Sequence, residues 1–304
     1  MSEEIRGLIF NKVQGSFVDG YGIRTTIFLK GCPLRCKWCC NPEGQSFRPE
    51  LKVTYDKCTG CGRCVDLCPQ KALTVKDGMV EVDRKKCDVC GECADFCYTG
   101  ALEPFGRYWT VDEMFDSIKR DKPFFDASGG GLTIGGGEAT WHPQFVLALM
   151  EKCQQEGINV AVDTCGYVDT PEGLEILRKA DLLLFDIKGM DPVKHKEGTG
   201  VDNDIIWRNL KMRNELGKPV IIRMPIIPGN NDSDENLRAA AECLSMLSCI
   251  QRVDLLPFHQ YGLVKYKQIG MEYTMADTPG IPEERQQEIK KMFEDYGFNV
   301  QIGG

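Results

Sequence analysis

The sequence is short of positive charge. Its 304 residues carry 37 Lys and Arg against 45 Asp and Glu, a net charge of -8 with only three His. A nucleic-acid partner, which ordinarily demands a basic surface, is excluded on that ground. Long apolar runs are missing too: no segment approaches the roughly 20 residues that cross a bilayer, so no membrane attachment is expected. The opening MSEEIRGLIF is too polar for a signal peptide. Without an export signal a cytoplasmic location is expected, and disulfides are rare there. Apolar content of 42% and charged content of 27% are ordinary for a soluble globular chain. The length suffices for one large domain or two smaller ones. What the chain has in excess is cysteine, sixteen of them. In a reducing compartment that excess points to metal.

Twelve of the sixteen lie between Cys32 and Cys97; Cys153, Cys165, Cys243 and Cys249 are scattered beyond and read as core or surface thiols. Residues 52–102 are an internal duplication, in which Cys58, Cys61, Cys64 and Cys68 recur at the spacing of Cys87, Cys90, Cys93 and Cys97. C-x2-C-x2-C-x3-C-P is the bacterial ferredoxin run, whose fourth cysteine crosses to the other cluster. On that pattern Cys58, Cys61, Cys64 and Cys97 hold one 4Fe-4S cluster, and Cys87, Cys90, Cys93 and Cys68 the second. Pro69 closes the first run as the pattern asks, whereas Tyr98 stands in its place after the second. The competing reading is a pair of zinc sites, which CxxC pairs also suit; the matched tandem spacing opposes it.

The rest of the chain alternates. Strands are expected at 22–29, 132–134, 158–164, 180–188, 219–229 and 252–259, from their β-branched and apolar runs. Helices are expected at 111–120, 143–157, 171–180, 204–217, 233–247 and 282–297, several with Pro near the start and Gly at the end. Six strand-helix units with near-continuous apolar strands predict a parallel sheet wrapped by helices. An open doubly wound sheet and a partial barrel both satisfy that pattern.

The loop KGCPLRCKWCC, residues 30–40, follows the first of these strands. Cys32-x3-Cys36-x2-Cys39 supplies three thiolates that one tight turn can bring to a single cubane, leaving one iron open to substrate as catalytic zinc leaves a position to water. A three-cysteine zinc site and a reactive-thiol loop are the alternatives. CxxxCxxC after a first strand resembles the radical S-adenosylmethionine (SAM) superfamily. With its flanks, DGYGIRTTIFLKGCPLRCKWCCNPE resembles the glycyl radical enzyme activating enzymes, the family of the pyruvate formate-lyase activase. The two-cluster insert is similar to that of the subgroup serving dehydratases, decarboxylases and C-C or C-N lyases. The likeness covers essentially the whole chain. It implies an α/β fold, a partial (β/α)6 TIM-like barrel at 1–49 and 105–304, with a ferredoxin-like insert at 50–104.

In barrels of strand-helix units, sites sit at the C-terminal ends of strands. Cys32, Cys36 and Cys39 follow the first strand; Gly135, Gly136, Gly137 and Glu138 the second; Asp163 and Thr164 end the third; Asp186 and Lys188 the fourth; Arg223 the fifth; His259 the sixth. The resemblance implies that Gly136, Gly137 and Glu138 hold the amino group of SAM, with Glu138 accepting from the ammonium. It implies that Asp163 and Asp186 ligate a monovalent cation, Na or K, beside the SAM carboxylate. Trp38, Thr164, Lys188, Arg223 and His259 then contact or orient SAM. Taken singly, GGGE could be a loop turn and a strand-end carboxylate a helix cap; His259 could be structural, and His142 and His195 stay unassigned. Cys40 is expected to be a bystander. Tyr21, Gly135 and Ala139 depart from the family pattern, which bears on substrate-protein docking more than on SAM.

The implied activity is that of an anaerobic oxidoreductase carrying three 4Fe-4S clusters. Reductive cleavage of SAM to methionine and a 5′-deoxyadenosyl radical is followed by hydrogen abstraction from a glycine Cα of a partner glycyl radical enzyme. The partner presents a glycine loop, a flavodoxin or ferredoxin supplies the electron, and the activase is expected to be monomeric alone. Two rivals are a radical SAM enzyme acting directly on a small molecule and an iron-sulfur electron-transfer protein without SAM chemistry.

Overall fold

Runs such as RTTIFL and LLLFD have no polar face, so a sheet made from them must be covered on both sides. The computed structural model, which describes residues 4–303, bears this out. In chain order its strands are β1 (Arg6–Ser16), β2 (Arg24–Leu29), β3 (Glu50–Val53), β4 (Leu73–Lys76), β5 (Met79–Val82), β6 (Leu102–Phe105), β7 (Arg107–Thr110), β8 (Gly131–Gly136), β9 (Asn159–Thr164), β10 (Leu182–Asp186), β11 (Val220–Ile226), β12 (Ile250–Pro257) and β13 (Val300–Ile302). The helices are α1 (Arg63–Leu67), α2 (Glu92–Asp95), α3 (Val111–Lys119), α4 (Lys122–Ser128), α5 (Pro143–Gln155), α6 (Pro171–Lys179), α7 (Pro192–Thr199), α8 (Asp204–Glu215), α9 (Asp234–Ser245), α10 (Leu263–Gln268) and α11 (Glu283–Asp295).

Nine strands form one sheet in the order β13-β12-β11-β10-β9-β8-β2-β1-β7. From β2 to β13 every neighbouring pair is parallel, while β1 runs antiparallel to both β2 and β7. The six expected units are present as β2-α3, β8-α5, β9-α6, β10-α8, β11-α9 and β12-α11. Three strands of this sheet were not anticipated: β1 and β7, which extend the first edge, and β13, which the tail FNVQI supplies. The sheet is curled, since side chains from β2, β9, β11 and β12 and from the loops after them face one cavity. Its edge strands β7 and β13 do not pair with each other. The result is a partial barrel.

Helix spacing delivers the outer packing. α3 buries Val111, Met114 and Ile118, and α5 buries Phe145, Val146, Leu149 and Met150, all in one cluster with Ile27, Leu132, Ile134 and Val160. Each such side chain taken fully from water stabilises by roughly 1.5–3 kcal/mol. The loop at 17–23 turns into the barrel between β1 and β2. There the Asp19 carbonyl accepts from Thr133 Oγ1 at 2.7 Å and Asp19 Oδ2 from Thr26 Oγ1 at 2.8 Å. Arg24, only 1% exposed, lies beside it and donates to Thr133 Oγ1 and the Leu132 carbonyl.

The insert leaves the barrel after the cysteine loop and returns before β7. Its two ends meet in the antiparallel pair β3-β6, from Glu50 opposite Phe105 to Val53 opposite Leu102, and β4-β5 forms a separate hairpin. The duplication is visible in the backbone. α1 and α2 each start at a glycine in the left-handed region, Gly62 at φ 77° and Gly91 at φ 91°, one residue after the second cysteine of each run. Leu51, Val53, Leu73, Val80, Cys93 and Leu102 make a small core of its own.

Candidate functional site

The cysteine loop is anchored from both sides of its base. Lys30, fully buried, donates to the Glu43 carbonyl at 2.5 Å and pairs with Glu50 at 2.8 Å. The glycine-rich segment is laced to the same place: Gly137 N donates to the Leu29 carbonyl at 2.7 Å and Glu138 N to the Gly31 carbonyl at 2.8 Å. Only glycine fits there. A Cβ on Gly136 would lie 2.6 Å from the Leu29 nitrogen, and one on Gly137 would lie 2.7 Å from the Gly44 carbonyl oxygen. Within the loop Cys39 N donates to the Cys36 carbonyl at 3.2 Å, a turn that brings the two thiols to one side.

Cys32, Cys36 and Cys39 line a cavity of about 280 Å³ together with Trp38, Gly136, Gly137, Asp163, Thr164, Asp186, Lys188, Arg223 and His259. All the expected strand-end residues except Gly135 and Glu138 are therefore on its wall. Burial pushes all three thiols above their ordinary range, Cys39 to about 12, with the Lys188 ammonium opposing the rise at Cys36. Thiols so placed are protonated unless a metal takes their protons' place, and metal binding supplies that compensation.

The charged groups are tightly paired. Asp163 accepts from Arg223 at 3.1 Å, and Asp186 pairs with Lys188 at 2.7 Å. Burial pushes the Asp163 carboxyl up to about 7, despite Arg223, with Asp186 and Asp19 adding to the rise. Burial would lower Lys188, but Asp186 and Cys36 outweigh it and hold its ammonium well above the usual range. The two carboxylates expected to share a monovalent cation thus each hold a side-chain cation. Arg223 Nε, buried on this wall, has no hydrogen-bond partner among the described residues.

Glu138, expected to accept from the SAM ammonium, is placed off the cavity wall. It is fully buried and turned away from the cavity. Its Oε1 accepts from Thr140 N at 3.1 Å, Thr140 Oγ1 at 2.8 Å and Thr164 Oγ1 at 2.7 Å, and its Oε2 from Cys165 N at 2.8 Å. Four donors hold the carboxylate, so it ties the segment after β8 to the end of β9.

Three titratable wall residues went unforeseen. Asp19 reaches the cavity from the loop before β2, 3.7 Å from Arg223; no strand-end rule could find it, because it enters from the opposite end of its strand. Cys165, read as a core thiol, is buried at the cavity edge, and Cys40 is an exposed part of the wall. Of the unassigned histidines, His195 is buried and its Nδ1 donates to the Val201 carbonyl at 2.8 Å, while His142 packs beside Phe47.

In the insert the structure gathers cysteines into two groups. Cys58, Cys61, Cys64 and Cys97 line one small cavity, and Cys68, Cys87 and Cys90 another, with Cys93 between the two. Each group includes the fourth cysteine of the other run. Among the described residues no three His, Cys, Asp or Glu side chains converge as they would about a single metal ion. The thiols surround space, as cluster ligands do.

Comparison with known proteins agrees with this geometry. A model of the radical SAM superfamily matches residues 88–241, and one of a 4Fe-4S dicluster domain matches residues 50–98. The superfamily match begins after the loop at 30–40, but full-length relatives span it. The trans-4-hydroxy-L-proline dehydratase activating enzyme of Clostridioides difficile is 42% identical over 98% of this chain and 99% of its own length. The choline trimethylamine-lyase activating enzyme of Oleidesulfovibrio alaskensis is 39% identical over 98% of each. The chain belongs to the glycyl radical enzyme activating enzymes of the radical SAM superfamily. It is thus an oxidoreductase with SAM and 4Fe-4S clusters as its cofactors. A radical SAM methyltransferase from Sphaerobacter thermophilus shares the fold, with a TM-score of 0.50 over 97% of this chain and 76% of that one, at 15% identity. No helix among the described residues is long and apolar enough to cross a membrane.

Proposed function

We propose that the chain activates a glycyl radical dehydratase, lyase or decarboxylase by generating a radical on a glycine of that partner's loop, and that Cys32, Cys36 and Cys39 hold the cluster that binds SAM. One observation carries the assignment: these three thiols share a single cavity with Gly136, Gly137, Asp163, Lys188 and Arg223. When bound, the cluster supplies one electron for cleavage of SAM to methionine and a 5′-deoxyadenosyl radical, which takes hydrogen from the glycine Cα. The chain's own residues bind and orient. Gly136 and Gly137 let the backbone come close to the amino acid end of SAM, and the Arg223 guanidinium on the same wall suits its carboxylate. Asp163 and Asp186 remain the donors for a Na or K ion, whose arrival would release Arg223 and Lys188 to the carboxylate. Trp38, buried with Ile227 and Phe258, walls off water at the apolar end, and His259 stands at the exposed rim. Thr164 contributes to the wall while its hydroxyl is held by Glu138.

The insert, taken as a module over 50–104, would carry one cluster on Cys58, Cys61, Cys64 and Cys97 and one on Cys87, Cys90, Cys93 and Cys68. Its electron source would be a flavodoxin or ferredoxin, with the activase acting as a cytoplasmic monomer. A small-molecule radical SAM enzyme and a pure electron carrier are the rival functions. In the test, reconstituted protein is reduced with dithionite under argon and given SAM and a candidate partner. The expected products are 5′-deoxyadenosine and a glycyl radical signal in the partner, both abolished in Cys36→Ala. Normal SAM cleavage by Cys36→Ala would refute the cysteine assignment; turnover of a small molecule with no partner present would favour the first rival.

A further inference from the structure

The barrel is open on one side, because its edge strands β7 and β13 do not pair. Inside it, alternate residues of the parallel strands face one another. Ala161 of β9, Leu182 and Leu184 of β10 and Ile221 of β11 make a buried apolar cluster there, ahead of Asp163, Asp186 and Arg223 on the same strands. β12, on one flank of the opening, departs from that pattern. Its Val253 and Leu255 pack outward into the main core, so Arg252 and Asp254 face inward. Asp254, fully buried, accepts from Arg252 Nε at 2.6 Å and from Arg252 Nη2 at 3.0 Å. It also stands opposite Arg223 in the β11-β12 ladder.

The loop at 17–23, on the other flank, touches both of these strands with residues two apart. Tyr21 lies against Arg252, whose guanidinium carbon is 5.8 Å from the ring centroid. Asp19 lines the cavity. Its Oδ2 accepts from Ser16 Oγ at 2.7 Å and from Thr26 Oγ1 at 2.8 Å, which leaves Oδ1 to Arg223 at 3.7 Å. Gly20 between them rests on the inner cluster, at φ 124°; a Cβ there would lie 2.9 Å from Arg24 Cδ and 3.5 Å from Leu182 Cδ2. Among the described residues none of the loop's hydrogen bonds or ion pairs reaches β12, so the ring is what fastens it there. Tyr21 itself is half-exposed and does not line the cavity.

We infer that Tyr21 is a positioning residue for the SAM site: its ring, held over Arg252, clamps the loop at 17–23 to β12 and so keeps Asp19 against Arg223. The inference rests on the proposed reading of this cavity as the place where SAM binds. A guanidinium already fixed by both oxygens of Asp254 offers its flat face to an aromatic ring without further ordering. Asp19 shares Arg223 with Asp163, which is 3.1 Å from the same nitrogen. Where Asp19 stands therefore sets how far the guanidinium is available to a ligand's carboxylate. Tyr21 is one of the three departures from the family pattern, and this contact gives it a task inside the barrel.

The experiment compares reconstituted wild type with Tyr21→Ala, Tyr21→Leu, Tyr21→Phe and Asp19→Asn. Hydrogen exchange reads the amides of 17–23, and calorimetric titration reads SAM affinity. Tyr21→Phe keeps the π face and should match wild type in both. Tyr21→Ala and Tyr21→Leu, which keeps bulk but no π face, should exchange roughly two- to fivefold faster over 17–23, with β9 and β10 unchanged. Their SAM Kd should rise by up to the same factor. The decisive sample is Tyr21→Ala combined with Asp19→Asn. If the ring acts through Asp19, the double variant binds SAM no more weakly than Asp19→Asn alone. Two losses that multiply, a Tyr21→Leu that behaves as wild type, or a Tyr21→Phe as damaged as Tyr21→Ala overturns the inference. Failure of wild type to bind SAM would instead sink the proposed function, while the exchange pattern still decides the clamp.

Discussion

Replacing Glu138 by Gln separates two roles that give the same loss of activity. The carboxylate is fully buried and accepts four hydrogen bonds, three on Oε1 and one on Oε2. A glutamine is nearly isosteric but must turn an NH2 towards one of those positions. The cheaper choice is the Oε2 side, where it meets only the Cys165 N–H. That leaves two donors facing each other, worth about 1–3 kcal/mol, and the three bonds that remain go from charged to neutral. The sum is about 2–4 kcal/mol. At roughly 2 °C per kcal/mol for a domain of this size, Tm should fall by about 4–8 °C. Anaerobic circular dichroism melts give that number, and calorimetric titration gives SAM affinity on the same samples. Were Glu138 the acceptor of the SAM ammonium, the lost charged hydrogen bond of about 1.5–3 kcal/mol would raise the SAM Kd roughly ten- to a hundredfold with little change in Tm. An unchanged Tm with that loss of affinity would refute the network role.

Asp163 predicts a pH dependence in the metal-free protein. Its folded carboxyl sits near 7 because of burial, against about 3.9 when unfolded. Between about pH 4 and 7 the folded state therefore holds a proton that the unfolded state has released, so this residue's contribution to stability falls as pH rises through that window and is level above it. Asp163→Asn should remove that part of the slope of Tm between pH 5 and 7, and an unaltered slope would sink the idea. In the insert, Cys97→Ser should disturb the cluster bounded by Cys58, Cys61 and Cys64 and spare the one on Cys87, Cys90 and Cys93, as Mössbauer and EPR spectra would report. Damage confined to the latter would mean that the fourth cysteines do not cross.

Much of this site was legible because its signals are local in the chain. Three thiolates that must meet one cubane have to lie within a turn or two, so Cys32, Cys36 and Cys39 announce themselves by spacing. The tandem runs of the insert do the same, and so do the apolar strands whose C-terminal ends bring Asp163, Asp186 and Arg223 to one cavity. The crossing of Cys68 and Cys97 was also readable, since the duplication carries it.

What the sequence could not reveal depends on partners far apart in it. Glu138 looked like a ligand group because it follows the glycines; only the folded chain brings Thr164 and Cys165, 26 and 27 residues away, to consume its oxygens. Asp19 precedes β2 and reaches the cavity only because the loop at 17–23 turns inward. The strands β1, β7 and β13 carry too little apolar pattern to announce themselves, and pairing at the edges of the sheet creates them. The segment at 262–270 has no motif at all, and Arg84 finds the Gln268 carbonyl there, 184 residues away. Spacing along the chain thus determined which thiols gather at each cavity. Closure of the barrel decided which charges face the thiols of the cysteine loop, because those contacts form only when distant segments pack.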